Sequence, residues 1–406
     1  MSLEHKKNVY NNSSTTFCKL ATMSLNFDMS GMVSPCNLTN YWLRDTNDKR
    51  HYNLLTDDVQ DIWDSEYRKK LLNDHTNGIK NPTCKLCWDH EDAGIESPRQ
   101  KFNKKLKDVD ELESQPRVMI VKPGNLCNNA CRSCNAHTSS LWYKDDHALN
   151  GTGETFKEYL EFFQRHKTAY TDNKILEQRF AEWEDNIIFW DMYGGEPLII
   201  PLFYKILDQA IASTNVKGKK FNLHTNGMVY VEGLVEKLSR FKSSSIGFSV
   251  DAVGEKNDYI RHGSQWTKIN ENLLKYMEDC RHYTNVNITV RTTFTPWNIF
   301  YYDDIYDYFK KIGIMASGTW CNDQPWNDIR YLPIKVKDAI IKKLSLYNCT
   351  DRTWRQKLHE LSQWLLTQPT DYQNLQDSFM DFNTKLDHIR KEKFDAVFPE
   401  YAALFQ

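Results

Sequence analysis

The stretch Arg117-Val118-Met119-Ile120-Val121-Lys122-Pro123-Gly124-Asn125-Leu126-Cys127-Asn128-Asn129-Ala130-Cys131-Arg132-Ser133-Cys134 sets a short apolar run directly before a loop with three cysteines. A run of that length, ended by Pro123-Gly124, reads as a buried strand feeding a loop. Thiolates three and four residues apart converge naturally on one metal centre, whereas buried structural cysteines have no reason to sit so close in sequence. Three thiolates hold three corners of a four-iron cluster and leave the fourth iron open to another ligand. The alternative at this spacing is a zinc knuckle with His137 as the fourth ligand.

Outward from this stretch, apolar runs alternate with helical patterns. Arg117–Val121, Ile187–Met192, Lys219–His224, Ser245–Val250, Val286–Phe294 and Ile312–Thr319 read as strands. Amphipathic segments lie between them at Pro201–Ser213, Val231–Phe241, Thr267–Tyr283 and Tyr301–Lys311. Repeated βα units imply an α/β fold with parallel strands and right-handed crossovers, met by a six-strand open barrel or a doubly wound sheet. The first crossover, Ser140 to Glu184, is long and aromatic enough for two helices. Lys335 to Gln406 is helical in pattern, broken at Gln368-Pro369.

Upstream, Phe17 to Pro35 reads as a small hairpin turning near Asp28 to Gly31. Asp57 to Leu72 reads as one helix with Thr56 or Asp57 as N-cap. Residues 100–115 are rich in charge and mark a boundary between an N-terminal module (1–100), a linker (101–116), a βα domain (117–334) and a helical extension (335–406).

The chain has 406 residues, with 52 Lys plus Arg against 54 Asp plus Glu, a formal charge of −2. So balanced a charge gives no global pull toward nucleic acid or an anionic membrane, and neither partner is expected. With no apolar stretch of spanning length and a polar stretch from Met1 to Asn12, a cytoplasmic location is expected. In that reducing compartment the ten cysteines are poor disulfide candidates and better metal or cluster ligands. Besides the triplet, Cys18, Cys36, Cys84 and Cys87 form a four-thiolate set, open to either an iron-sulfur cluster or structural zinc. Cys280, Cys321 and Cys349 are isolated and read as packing residues.

The C-x3-C-x2-C loop after the first strand of a βα array resembles the radical S-adenosylmethionine (SAM) superfamily. Three further segments match in order, each after a strand. Gly194-Gly195-Glu196-Pro197 resembles the family's GGEP motif, whose glycines admit the methionine end of SAM and whose carboxylate attracts its ammonium. Thr225-Asn226-Gly227 resembles its T-N-G turn. Ser249-x-Asp251 followed by Arg261 resembles its S-x-D segment with an arginine for the cofactor carboxylate. One departure is Ser133, where the family often carries an aromatic residue near the adenine; Asn298 and Trp320-Cys321-Asn322 are candidates for that contact by position.

The resemblance implies a partial (β/α)6 TIM-like barrel and a [4Fe-4S] cluster held by Cys127, Cys131 and Cys134. Its open iron binds SAM, and one electron from a donor such as flavodoxin or ferredoxin cleaves the sulfonium. The resulting 5'-deoxyadenosyl radical removes a hydrogen atom from substrate. The N-terminal set, with Gly31-x-Val33-x-Pro35-Cys36 and Cys84-x2-Cys87-x3-Glu91-x2-Gly94-x2-Ser97-x-Arg99, resembles the twitch or SPASM-like module that carries an auxiliary [4Fe-4S] cluster. Its place before the barrel resembles radical SAM proteins of bacteriophages and marine bacteria. Family members with such modules often modify peptides or proteins, while others act on carbohydrates or nucleotides. The competing readings are a non-catalytic cysteine-rich zinc protein that binds a partner or nucleic acid, and an electron-carrying cluster protein without SAM turnover.

Overall fold

The computed structural model describes residues 14–28, 30–39, 42–44, 50–109, 115–161, 163 and 174–406. Its strands, in chain order, are β1 (Ser24–Phe27), β2 (Val33–Ser34), β3 (Val118–Val121), β4 (Phe189–Met192), β5 (Lys220–Thr225), β6 (Ser243–Ser249), β7 (Val286–Phe294) and β8 (Ala316–Trp320). From β3 onward strands and helices alternate, which makes the fold α/β, and the strands are mostly parallel: β1 with β3, β3 with β4, β4 with β5 and β7 with β8.

The chain divides into two compact units. The first comprises residues 1–124, 164–223 and 236–244, and the second residues 125–163, 224–235 and 245–406. In the first unit the strands run in the order β2-β1-β3-β4-β5. The Val-Met-Ile-Val sequence of β3 is buried at every position because the strand is flanked by parallel neighbours. The hairpin expected around Asp28–Gly31 is present, with β1 antiparallel to β2 and Gly31 N donating to Asp28 O at 3.0 Å. Gly31 has φ +83°, and a Cβ there would stand 2.2 Å from Asn53 Oδ1. This hairpin also joins the parallel array through β1, so among the described residues its two strands add to the six of the βα region.

Two boundaries differ from expectation. The helix predicted over Asp57–Leu72 is two helices, Val59–Trp63 and Glu66–Thr76, each with its own N-cap. Asp58 accepts from Gln60 N at 2.8 Å, and Ser65 accepts from Arg68 N at 3.4 Å. Asp57 instead accepts from Asn53 N at 2.7 Å. The sixth predicted strand starts at Ala316 rather than Ile312, because Gly313 N and Ile314 N donate back to Lys310 O and Phe309 O and finish the preceding helix. The charged stretch after Ser97 begins as a capped helix, Pro98–Lys105, and residues 110–114 of it lie outside the described residues.

The second unit holds β7 and β8, the helices Tyr143–Asn150 and Trp266–Cys280, and the C-terminal helices, among them Ile334–Leu346, Arg352–Leu366 and Ser378–Arg390. The first crossover supplies Tyr143–Asn150 and Lys174–Trp183, with further helical residues at 156–161. Among the described residues no helix is long and apolar enough to cross a membrane.

Candidate metal centres

In the second unit the loop after Asn125 is pinned at both ends. Asn125 Nδ2 donates to Ala136 O at 3.0 Å and to Tyr143 Oη at 2.7 Å. Ala130 N and Arg132 N donate to His262 O and Ile260 O at 2.7 and 2.8 Å, so the loop borrows a backbone partner from the segment that carries Arg261. Cys134 N donates to Cys131 O at 2.9 Å, a turn that brings these two thiols together.

The thiols also interact. A hydrogen bond from Cys134 brings the Cys131 thiol down to about 7 against the opposing effect of burial, with help from the Arg261 and Arg390 guanidiniums. Cys134 moves the other way, raised by that same shared proton, by burial and by Cys131 and Cys127. Cys127 is therefore in electrostatic reach of the pair, and Asn226 Nδ2 lies 3.9 Å from its sulfur.

The neighbouring motif residues hold one another in place. Asn226 Nδ2 donates to Asn128 Oδ1 at 2.6 Å, while its Oδ1 accepts from Met228 N at 2.9 Å. Thr225 Oγ1 accepts from Gly227 N at 3.1 Å. Asp251, 2 % exposed, pairs with Arg261 Nη1 at 2.7 Å and accepts from Thr293 N at 3.0 Å. Burial works against the charge of Arg261, yet Cys131 and Asp251 hold its pKa above the ordinary arginine value. Its Nε is buried without a hydrogen-bond partner. Ser249 closes β6, two residues before Asp251. Thus Cys127, Cys131, Cys134, Asn226, Asp251 and Arg261 form one connected neighbourhood.

Gly194, Gly195, Glu196 and Pro197 belong to the first unit, directly after β4. Gly194 has φ +88°, and a Cβ there would meet Lys122 Cγ at 2.8 Å, so only glycine fits this turn. Glu196 is fully buried and accepts from Leu198 N at 3.1 Å, capping the short turn that starts at Pro197.

The same unit gathers Cys18, Cys36, Cys84 and Cys87 around a single small apolar pocket, lined also by Leu20, Leu71 and Arg99. Burial raises all four thiols, Cys87 to about 12, and the sulfurs reinforce one another: Cys36 is raised further by Cys18 and Cys87, and Cys84 by Cys36, Cys18 and Cys87. The Glu91…Ser97-x-Arg99 pattern has a physical reason. Glu91 Oε1 accepts from Ser97 Oγ and Arg99 Nε at 2.6 and 2.9 Å and Oε2 from Arg99 Nη2 at 2.7 Å, which fixes a guanidinium beside the sulfurs. His75, 1 % exposed and not singled out by sequence, has Nε2 3.6 Å from Cys84 Sγ.

Residues 121–310 match the model of the Radical SAM superfamily. The chain carries a radical SAM domain. Residues 18–88, which precede it and span all four cysteines of the first unit, match an iron-sulfur cluster-binding domain, SPASM. Among solved structures the chain is similar to native anSMEcpe with bound AdoMet (19% identity over 50% of this chain and 51% of that one, TM-score 0.37). It is similar also to SuiB of Streptococcus suis (13%, 80% and 67%, 0.37) and to TYW1 with a lysine-pyruvate adduct (13%, 51% and 65%, 0.30). The chain spans about half the length of the first two solved structures it matches, and likenesses this weak carry no further weight. No curated protein matches.

The donor sets suit the groups these domains hold. In the radical SAM domain three mutually interacting thiols sit beside buried donors without partners, Asn129 Nδ2 and Arg261 Nε. In the SPASM segment four thiols face one apolar pocket. Among the described residues no three His, Cys, Asp or Glu side chains close on a single-ion point. His137 is exposed and edge-on to Phe163 at 5.2 Å. Of the positions weighed for the adenine, Asn298 bonds Thr295 N and Thr293 O at 2.8 Å each, Trp320 stacks on Trp364 at 5.5 Å, and Cys321 donates to Asp323 at 2.7 Å.

Proposed function

We propose that the chain is a radical SAM enzyme with a [4Fe-4S] cluster on Cys127, Cys131 and Cys134 and an auxiliary [4Fe-4S] cluster on Cys18, Cys36, Cys84 and Cys87. The observation that carries this reading is the three interacting thiols on the 127–134 loop, within the segment that matches the superfamily. When bound, the cluster and SAM supply the one-electron cleavage that yields a 5'-deoxyadenosyl radical for hydrogen abstraction.

The chain's own residues bind and orient. Three thiolates anchor three irons and leave one coordination position to SAM. Arg261, steadied by Asp251, keeps Nε free for an anionic oxygen of the cofactor. Gly194, Gly195, Glu196 and Pro197 in the first unit, and Thr225, Asn226 and Ser249 in the second, are assigned to the cofactor on their motif resemblance. With four thiolates committed to one pocket, the auxiliary site relays electrons or shapes the substrate pocket instead of taking SAM.

In this reading residues 1–100 are the auxiliary module, 101–116 a linker, 117–334 the partial (β/α)6 barrel and 335–406 a helical extension. The order of the two matched segments supports the phage-type arrangement. Peptides and proteins come first among substrate classes, a flavodoxin or ferredoxin supplies electrons, and the reaction runs in the cytoplasm. Anaerobic reconstitution tests the reading. It expects about eight irons per chain and 5'-deoxyadenosine from SAM under reduction; zinc in both sites, or no nucleoside product, overturns it.

A further inference from the structure

Arg132 lies between two of the cluster cysteines, and its side chain is fully buried (0 %). Its guanidinium lies 3.7 Å from the centroid of the Tyr259 ring. Nη1 donates to Asn383 Oδ1 at 2.8 Å, Nη2 to Asp387 Oδ1 and Glu392 Oε2 at 2.5 Å each, and Nε to Tyr259 O at 3.2 Å. The acceptors are fixed in turn. Trp297 Nε1 donates to Asn383 Oδ1 at 2.7 Å, Tyr259 Oη to Asp387 Oδ1 at 2.7 Å, and His262 Nδ1 meets Glu392 Oε1 at 2.7 Å.

A second strut runs in parallel. Trp142 Nε1 donates to Cys131 O at 2.7 Å, and the indole is covered by Arg390, whose centre is 4.8 Å from the ring and whose Nε donates to Asp145 at 2.9 Å. Leu386, fully buried, shares one apolar cluster with Ala130 and Ala136, on either side of the cysteine turn. Two independent chains of contact therefore lead from the helix Ser378–Arg390 to the backbone between Ala130 and Cys134. Buried ion pairs contribute little net stability against an apolar alternative, but they specify geometry when their donors are matched, as are four of the five N–H groups of Arg132.

We propose that the helix Ser378–Arg390, with Glu392, is a working part of the cluster site, holding the Cys131–Cys134 turn through the positioning residue Arg132 so that the three thiolates converge. The helix lies beyond residue 310, where the radical SAM match ends. The inference rests on the proposed function for what the thiolates hold, and the test separates the two.

The full chain is reconstituted anaerobically as wild type, Arg132→Met, Arg132→Lys and Glu392→Gln, with iron content, thermal unfolding and the electron paramagnetic resonance spectrum of the reduced protein read with and without SAM. The expected result for Arg132→Met is a fall from about eight irons to about four, the SPASM segment keeping its own. Lysine keeps the charge but lacks the fork, and only partly restores the iron. Glu392→Gln keeps the side chain's size and a hydrogen-bond acceptor but removes one carboxylate from Arg132, and is expected to weaken iron retention by the loop about 10–100-fold, the usual cost of a lost outer partner, with a weaker spectral response to SAM. The proposal is overturned if Arg132→Met and Glu392→Gln match wild type in iron and in SAM response. Should Arg132→Met not fold, Glu392→Gln decides alone. If wild type holds only about four irons and its spectrum ignores SAM, the radical SAM reading itself fails, and this inference with it.

Discussion

The two cysteine sets solve the problem of presenting thiolates in opposite ways. In the second unit the 127–134 loop keeps its thiols beside guanidiniums, and Cys131 is drawn down to about 7. In the first unit four thiols line an apolar pocket in which burial raises every one of them. Cys134 of the loop is raised as well, so in the proposed reading the loop offers one thiol ready to lose its proton and the pocket offers none. In the proposed reading the three-thiol site leaves one corner for an exchangeable ligand. A site closed by four buried sulfurs suits permanent occupancy.

The sharpest break in this contrast is Cys131→Ala. It is expected to reduce 5'-deoxyadenosine to background while the pocket keeps about four irons, read by product chromatography and iron analysis; product formation that survives the change would remove the loop from the chemistry. Next in size is Glu91→Ala in the first unit. It strands a guanidinium whose side chain is 6 % exposed, and unfolding in urea should show a loss of about 3–5 kcal/mol. No effect there would mean that Arg99 does not depend on its clip.

The pocket also carries a proton-linked term through His75. Burial lowers its pKa to about 4 from 6.5, so the unfolded chain takes up the proton first as the medium acidifies. Stability is therefore full above pH 6.5 and declines as pH falls toward 4. Thermal unfolding of His75→Gln across this range should lose that slope; an unchanged slope would assign it to other groups. The smallest effect expected is that of Gly194→Ala, which forces an L residue to φ +88° and its Cβ against Lys122, for about 1–2 kcal/mol. Differential scanning calorimetry would show it as a lowered transition, and an unshifted one would mean that the turn relaxes freely.

The loop was readable because its chemistry is local. Cys127, Cys131 and Cys134 fall within eight residues, and Gly194-Gly195 announces a turn that no side chain fits. The partnership of Cys18 and Cys36 with Cys84 and Cys87 was legible as a count of thiols, but their common pocket depends on the helix Lys19–Met23, the helix Glu66–Thr76 and the segment around Arg99 packing together. The break at Asp64-Ser65 was missed because apolar spacing continues through it, and the second N-cap is visible only once Ser65 is seen to accept from Arg68 N. His75 looks like any polar residue near a helix end until burial sets it against Cys84.

Spacing along the chain was thus enough to group the cysteines into two sets and to give the order of strands and helices and the α/β class, since thiolate reach and apolar periodicity are short-range properties. Which groups surround those donors came from folding. Arg132 meets Asn383, Asp387 and Glu392 some 250 residues later, where ordinary polar residues of a helix carry no mark of their partner. Electrostatics act through space rather than along the chain, so the tuning of each thiol had to wait for packing to choose its neighbours.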